Sequence, residues 1–149
     1  MSPCLYGIYT VPKAATRASM FADLTPLLAA GLPWLQIRDK QQRKQLWPIW
    51  AELARLCAQH RAQLIINDQL ELAQWLISQS PATRIGIHLG QTDQSVTIAR
   101  QTLGPAAIIG VTSHSDATLA VQAQRHGANY VAFGRFFLSE TKPNAPAAK

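Results

Sequence analysis

Trp34-Leu35-Gln36-Ile37-Arg38-Asp39-Lys40 reads as a short strand, Trp34–Ile37, that runs straight into charge. Side chains of a strand alternate, so Leu35 and Ile37 share one face and Gln36 and Arg38 share the other. An apolar strand with a carboxamide and a guanidinium on its second face is hard to place on a half-solvated sheet. In a barrel of parallel strands that face points inward and up, toward the rim where the strands end. Two cations in five residues beside an amide suit a phosphate or pyrophosphate, with Arg38 binding through its fork and Lys40 as a point charge. A solvated loop is the competing reading for either cation taken alone.

The same pattern recurs outward along the chain. Further strand candidates are Leu5–Val11, Gln63–Ile66, Arg84–His88, Ala107–Val111 and Tyr130–Phe133. Between them apolar residues fall at helical spacing. Leu46, Ile49, Trp50, Leu53, Leu56 and Cys57 form the clearest stripe, with Leu70, Leu72, Ala73, Leu76 and Ile77 a second and Ala117, Leu119, Ala120 and Ala123 a third. Gly31, Gly104 and Gly127 sit where helices should end before a strand begins, in left-handed caps. Strands alternating with helices imply a parallel sheet with crossover helices. About six strands and five helices can be counted, enough for a doubly wound sheet but short of the ~200 residues a closed barrel needs.

Composition narrows the class. The chain has 149 residues, about one domain, and 48% of them are hydrophobic, enough for a sizeable core. Charged residues are 15%, too few for a disordered polyelectrolyte. No apolar run approaches the ~20 residues that span a bilayer. The N-terminus shows no signal peptide, so a soluble cytoplasmic protein is expected. Cys4 and Cys57 cannot make a disulfide framework or a zinc site. A net charge of +6 points to anionic partners, yet the basic residues are scattered, with no run longer than Arg43-Lys44. Nucleic-acid binding calls for a contiguous basic stripe, so small phosphorylated ligands fit better.

Polar residues gather at the C-terminal end of nearly every strand: Gln36 to Lys40, Asn67-Asp68, His88 to Asp93, Thr112 to Ser115, and Gly134 to Lys142. Such clustering marks the functional end of a parallel α/β sheet or barrel. Asp68 and Asp93 each follow an apolar strand. Mg²⁺ takes one or two carboxylates plus substrate phosphate oxygens, which two aspartates on neighbouring strand ends supply. N-capping of the helices that follow is the alternative for each. His88 is a general base or a structural hydrogen-bonder. Arg43 reads as a helix-surface residue whose loss does almost nothing to pyrophosphate binding. Trp47 and Trp50 read as core and helix-packing surface. No HExxH, GxGxxG, Cys/His pair or Ser/His/Asp order is present, so zinc, dinucleotide and nucleophilic chemistry lack support.

Five motifs, in order, resemble the thiamine phosphate synthase family: Leu35-Gln-Ile-Arg-Asp-Lys40, Leu64-Ile-Ile-Asn-Asp68, Gly86-Ile-His-Leu-Gly-Gln-Thr-Asp93, Ile109-Gly-Val-Thr-Ser-His114 and Gly134-Arg-Phe-Phe-Leu-Ser-Glu-Thr-Lys142. Together they cover essentially the whole chain. The resemblance implies a TIM (β/α)8-type barrel and a Mg²⁺-dependent transferase of thiamine biosynthesis. That enzyme condenses hydroxymethylpyrimidine pyrophosphate with thiazole phosphate and releases pyrophosphate. It further implies that Gln36 holds pyrimidine or phosphate groups and that Arg38, Lys40, Asn67 and Lys142 contact the pyrophosphate. Asp68 and Asp93 would hold Mg²⁺, Ser139 and Thr141 the thiazole phosphate, and Thr112 would lie near the reacting pyrimidine, with Arg38, Lys40, Thr112 and Lys142 forming the catalytic set.

Departures from the family pattern are Thr112 where Ser is usual, Ser139 where Thr is common, and Tyr9-Thr10-Val11 where a Thr-Asp pair is frequent. The chain ends just after Thr141-Lys142-Pro143, so the expected fold is a single partial barrel domain over residues 1–149, lacking strands 7 and 8. A barrel left with open edges is expected to be poorly soluble or to self-associate through its first and sixth strands, and to have little synthase activity on its own. The related thiazole tautomerase, an isomerase, and a non-catalytic barrel fragment are the alternative readings.

Overall fold

The computed structural model describes residues 4–90 and 95–134. Among the described residues six strands alternate with five helices: β1 Tyr6–Thr10, α1 Arg17–Ala29, β2 Trp34–Arg38, α2 Trp47–Gln59, β3 Gln63–Asn67, α3 Leu70–Gln79, β4 Ile85–Leu89, α4 Val96–Leu103, β5 Ile108–His114, α5 Ala117–Arg125 and β6 Tyr130–Phe133. A short 3-10 turn, Lys44–Leu46, leads into α2. The strands pair in parallel, in sequence order from β1 to β6. Among the described residues no helix is long and apolar enough to cross a membrane.

Sequence reading and structure agree on every strand and differ at their ends. β2, β3 and β5 each run one to three residues further than expected, taking in Arg38, Asn67 and Thr112 to His114, whereas β4 is shifted by one residue to Ile85–Leu89. Apolar patterning stops where the environment becomes polar, whereas the backbone ladder continues into that environment. Local chemistry fixes the helix starts. Thr16 and Ser19 form a reciprocal capping box on α1, Ser95 Oγ accepts from Ile98 N–H at 3.2 Å on α4, and Asp116 accepts from Thr118 and Leu119 N–H on α5.

Alternation splits the sheet into two faces. Leu35, Ile37, Leu64, Ile66, Ile87 and Ile109 lie in the main core beneath Leu24, Leu28, Trp50, Leu53 and Leu76 of the helices. The opposite face carries Tyr6, Trp34, Gln36, Ile65, His88, Thr112 and Tyr130. Five flat steps of about 4.8 Å would hold β1 and β6 about 24 Å apart. Instead the Tyr6 and Tyr130 hydroxyls approach to 2.7 Å. The sheet is therefore strongly curled, with this second face inside. Gly110 is required by that curl, since a Cβ there would overlap the Tyr130 ring.

At the opposite, N-terminal end of the strands, one arginine staples the last two βα units. Arg100 donates through Nη1 to the carbonyls of Gly104, Pro105 and Ala107, and through Nη2 to Gly127 O and Asn129 Oδ1. Arg100→Ala is expected to lower unfolding free energy by about 2–4 kcal/mol, because several part-buried carbonyls lose a charged donor at once. Urea unfolding of the variant against the parent chain measures this loss, and Arg125→Ala on the exposed end of α5 should stay within about 0.5 kcal/mol of the parent.

Candidate active site

The ends of β2 and β3 enclose a cleft of about 210 Å³ lined by Arg38, Asp39, Lys40, Gln42, Asn67 and Asp68. The motif at 34–40 and the Asn67-Asp68 pair, 27 residues further on, thus meet in space. Parallel pairing of β2 with β3, Trp34 against Gln63, causes this by bringing both carboxyl-terminal ends to the same rim.

Asp68 occupies left-handed backbone, φ 62°, a conformation Asp tolerates better than most residues. Its N–H donates to His88 O at 2.9 Å. Its carboxylate accepts from Gly90 N–H at 3.0 Å through Oδ1 and from Asn67 Nδ2 at 2.5 Å through Oδ2. The N-cap of α3 is Gln69, without a side-chain bond, so Asp68 does not cap that helix. The cap of α4 is Ser95. Gln42 at φ 49°, in the loop after β2, and His114 at φ 48°, at the end of β5, also adopt left-handed backbone, as does Arg61 at φ 57° at the other end of the sheet.

Arg43 corrects the sequence reading. It precedes the 3-10 turn rather than lying on a helix exterior, and its side chain is 12% exposed against an Asp39 carboxylate that is 2% exposed. Asp39 Oδ1 accepts from Arg43 Nη2 at 3.0 Å and from Gln41 N–H at 3.2 Å, and Oδ2 accepts from Arg43 N–H at 2.9 Å. The same guanidinium donates to Lys13 O at 2.9 Å and Pro12 O at 3.2 Å, fastening the β2 loop to the β1 loop. Burial pushes the Asp39 carboxyl up, but the bonds from Arg43 and Gln41 outweigh it and leave the group below its ordinary value. Asp39 went unrecognised because an i, i+4 acid–base pair in sequence looks like ordinary helix-surface charge.

Below the rim a polar chain crosses the interior. Gln36 Nε2 donates to Tyr6 Oη at 2.9 Å, Tyr6 meets Tyr130 at 2.7 Å, Tyr130 Oη lies 3.0 Å from His88 Nδ1, and His88 Nε2 lies 2.9 Å from Thr112 Oγ1. Burial raises both phenols above their ordinary value, so both keep their protons at neutral pH. His88 is thus a hydrogen-bonding member of the interior, and it joins Thr112 to Gln36. Tyr6 and Tyr130 had no sequence signal beyond their inward-facing register.

Of the candidate residues, the structure gathers Arg38, Lys40, Asn67 and Asp68 at the cleft. Gln36 and Thr112 lie deeper, linked through the polar chain. Asp93, Ser139, Thr141 and Lys142 lie outside the described residues.

A family model described as thiamine monophosphate synthase matches residues 6–149. A thiamine-phosphate synthase of Saccharophagus degradans is 42% identical over 146 residues, covering 97% of this chain and 64% of that protein. The chain thus spans under two thirds of the length of this curated relative. Thiamine phosphate pyrophosphorylase from Pyrococcus furiosus superposes with a TM-score of 0.67 at 22% identity, over 88% of this chain and 61% of that one. D-psicose 3-epimerase from Clostridium cellulolyticum H10 superposes with a TM-score of 0.56 at 10% identity, over 87% and 59%. At such identities both solved structures speak for the barrel fold alone.

Breaking a buried pair by removing one partner leaves an uncompensated charge. Arg43→Ala is therefore expected to cost about 3–5 kcal/mol in urea unfolding, which a residue on a helix surface would not. The folded Asp39 carboxyl titrates below its unfolded value of about 3.9. Its stabilisation is therefore complete above that pH and is lost as pH falls through the folded value. Acid titration should show Arg43→Ala unfolding at a higher pH than the parent chain.

Proposed function

The chain belongs to the thiamine monophosphate synthase family, and from that premise we propose that its cleft serves the condensation of hydroxymethylpyrimidine pyrophosphate with thiazole phosphate. The products are thiamine phosphate and pyrophosphate. The observation that carries this reading is the convergence of Arg38, Lys40, Asn67 and Asp68 on one cleft at the carboxyl ends of β2 and β3.

In this reading Arg38 and Lys40 neutralise the pyrophosphate, Asn67 donates to it, and Lys142, which lies outside the described residues, is assigned a contact with it by the family resemblance. Gln36 and Thr112 hold the pyrimidine lower in the barrel, and Ser139 and Thr141 hold the thiazole phosphate. The donor set at Asp68 fits Mg²⁺. A carboxylate oriented by Gly90 N–H and Asn67 Nδ2 suits a hard ion that takes few protein ligands and fills its shell with phosphate oxygens, whose charge offsets the repulsion from Arg38 and Lys40. Asp68 would hold the ion together with Asp93. Bound there, Mg²⁺ supplies positive charge to the departing pyrophosphate.

Leaving-group stabilisation is the chemistry this chain is equipped for. As the carbon–oxygen bond of the pyrophosphate ester breaks, negative charge builds on the oxygens that Arg38 and Lys40 face. The resulting pyrimidinylmethyl cation is attacked by the thiazole nitrogen, and the barrel wall holds the two rings in line. No covalent bond to the protein is needed. Phosphorylated substrates do not cross membranes unaided, so the setting is cytoplasmic. Exposed Leu5 and Ile8 by β1 and Phe133 on β6 favour self-association at the sheet edges of this single barrel domain, which sedimentation across a concentration series would register as rising mass.

Co-expressed with the C-terminal segment of a homologue and given both substrates and Mg²⁺, the chain is expected to yield thiamine phosphate, and absence of product with intact ligand binding would overturn the synthase reading. In calorimetry Mg²⁺ should tighten pyrophosphate binding, and Asp68→Asn should remove that Mg²⁺ effect. Arg38→Ala should weaken pyrophosphate by about 2 kcal/mol, the loss of a charge-assisted contact, while Arg55→Ala on the exposed face of α2 should leave binding unchanged.

A further inference from the structure

The interior chain from Gln36 to Thr112 has a direction, which follows from counting donors. Gln36 Nε2 can only donate, so Tyr6 Oη accepts there. Tyr6 then has its own proton to place, and among the described residues its other polar partner is Tyr130 Oη. A buried hydroxyl proton without an acceptor is costly, so Tyr6 donates to Tyr130. Tyr130 in turn gives its proton to His88 Nδ1. A ring nitrogen that accepts carries no proton, which places the imidazole proton on Nε2, donating to Thr112 Oγ1. Thr112 accepts at that contact, and its own O–H is turned away from His88.

We propose that Tyr130 and His88 are positioning residues that transmit the orientation of the Gln36 amide to the Thr112 hydroxyl, with His88 held as the neutral Nε2–H tautomer. The importance of this for catalysis rests on the proposed function, in which Gln36 and Thr112 meet the pyrimidine. The direction of the bonds does not rest on it. Gly110 provides the seat: the Tyr130 ring lies against bare β5 backbone, where any Cβ would collide with it. His88 stacks obliquely on the same ring, centroids 5.7 Å apart, so the imidazole is fixed in plane as well as in contact.

Reversing the first donor reverses the whole chain. A carboxylate at 36 can only accept, so Tyr6 would donate to it and Tyr130 to Tyr6. His88 Nδ1–H would then donate to Tyr130, and Thr112 would donate to Nε2. The experiment uses the ¹⁵N-labelled 149-residue chain without ligand and correlates imidazole nitrogens with ring protons by NMR. With four histidines in the chain, His88 is assigned by its disappearance in His88→Gln. In the parent chain a pyridine-like Nδ1 and pyrrole-like Nε2 are expected. Gln36→Glu should exchange the two signatures, and Tyr130→Phe should give a mixture of tautomers. A protonated Nδ1 in the parent chain, or an unchanged tautomer in Gln36→Glu, overturns the proposal. Should Gln36→Glu fail to fold, a pure Nε2–H signature retained in Tyr130→Phe overturns it equally. Because no substrate is present, the tautomers test the proposal by themselves, and failure of the co-expressed chain to make thiamine phosphate beside the expected tautomers refutes the synthase reading alone.

Discussion

The hydroxyl contact between Tyr6 and Tyr130 is the constraint around which the molecule is arranged. It joins residues 124 positions apart, on the first and last described strands, and it does so through the interior of the sheet. Two phenols can meet there only if the sheet curls and if the strands between them present small side chains. Gly86 and Gly110 meet the second condition on β4 and β5. Trp34 completes the floor, edge-on to Tyr130 at 5.7 Å and stacked with Tyr6 at 5.9 Å. Aromatic rings supply much apolar area in few residues, and their hydroxyls demand partners. Those partners, Gln36 and His88, are what make the floor of the barrel polar on its upper side.

Two cores with different rules follow from this. Between sheet and helices, packing is mainly aliphatic, with Leu, Ile, Ala and Val joined by Met20, Trp50 and Cys57. Inside the curl, polar groups are ordered into a single file, and a missing member exposes the next one to an unpaired buried bond. Above both lies the rim, where Arg43 ties two loops together through Asp39 and two backbone carbonyls. Arg38 and Lys40 flank Asp39 in sequence, so the loop that carries them is held at its centre. Fixing charged groups before a ligand arrives lessens the reorganisation that would otherwise oppose binding.

Much of this was legible in the residues. Alternation at 34–40 fixes the faces of β2, and glycines at 31, 104 and 127, all with positive φ, mark the helix ends. Asp68 could be singled out as an acid after an apolar strand, but its backbone conformation, which decides against capping, has no sequence signature. The roles of Asp39 and Arg43 were hidden because their spacing is equally that of a solvated helix pair. Only the path of the 3-10 turn shows that the pair points inward. Tyr6 and Tyr130 were invisible for a different reason: strand periodicity shows which way a side chain points, but not what it meets across a curled sheet.

Gly110 and Tyr130 also constrain how this sequence can change. A side chain at 110 collides with the ring while Tyr130 is present, and the space over 110 stands empty once Tyr130 is replaced by something small. Neither substitution is tolerated in the background that precedes it, although the two together could rebuild a packed interior. The pair therefore behaves as a lock on divergence. Lineages that keep the phenol must keep the glycine, and a barrel that escapes must pass through an intermediate that is either overpacked or hollow. Single-step variation in the chain is thereby directed to the helices and the outer face, and the polar interior is inherited as a unit.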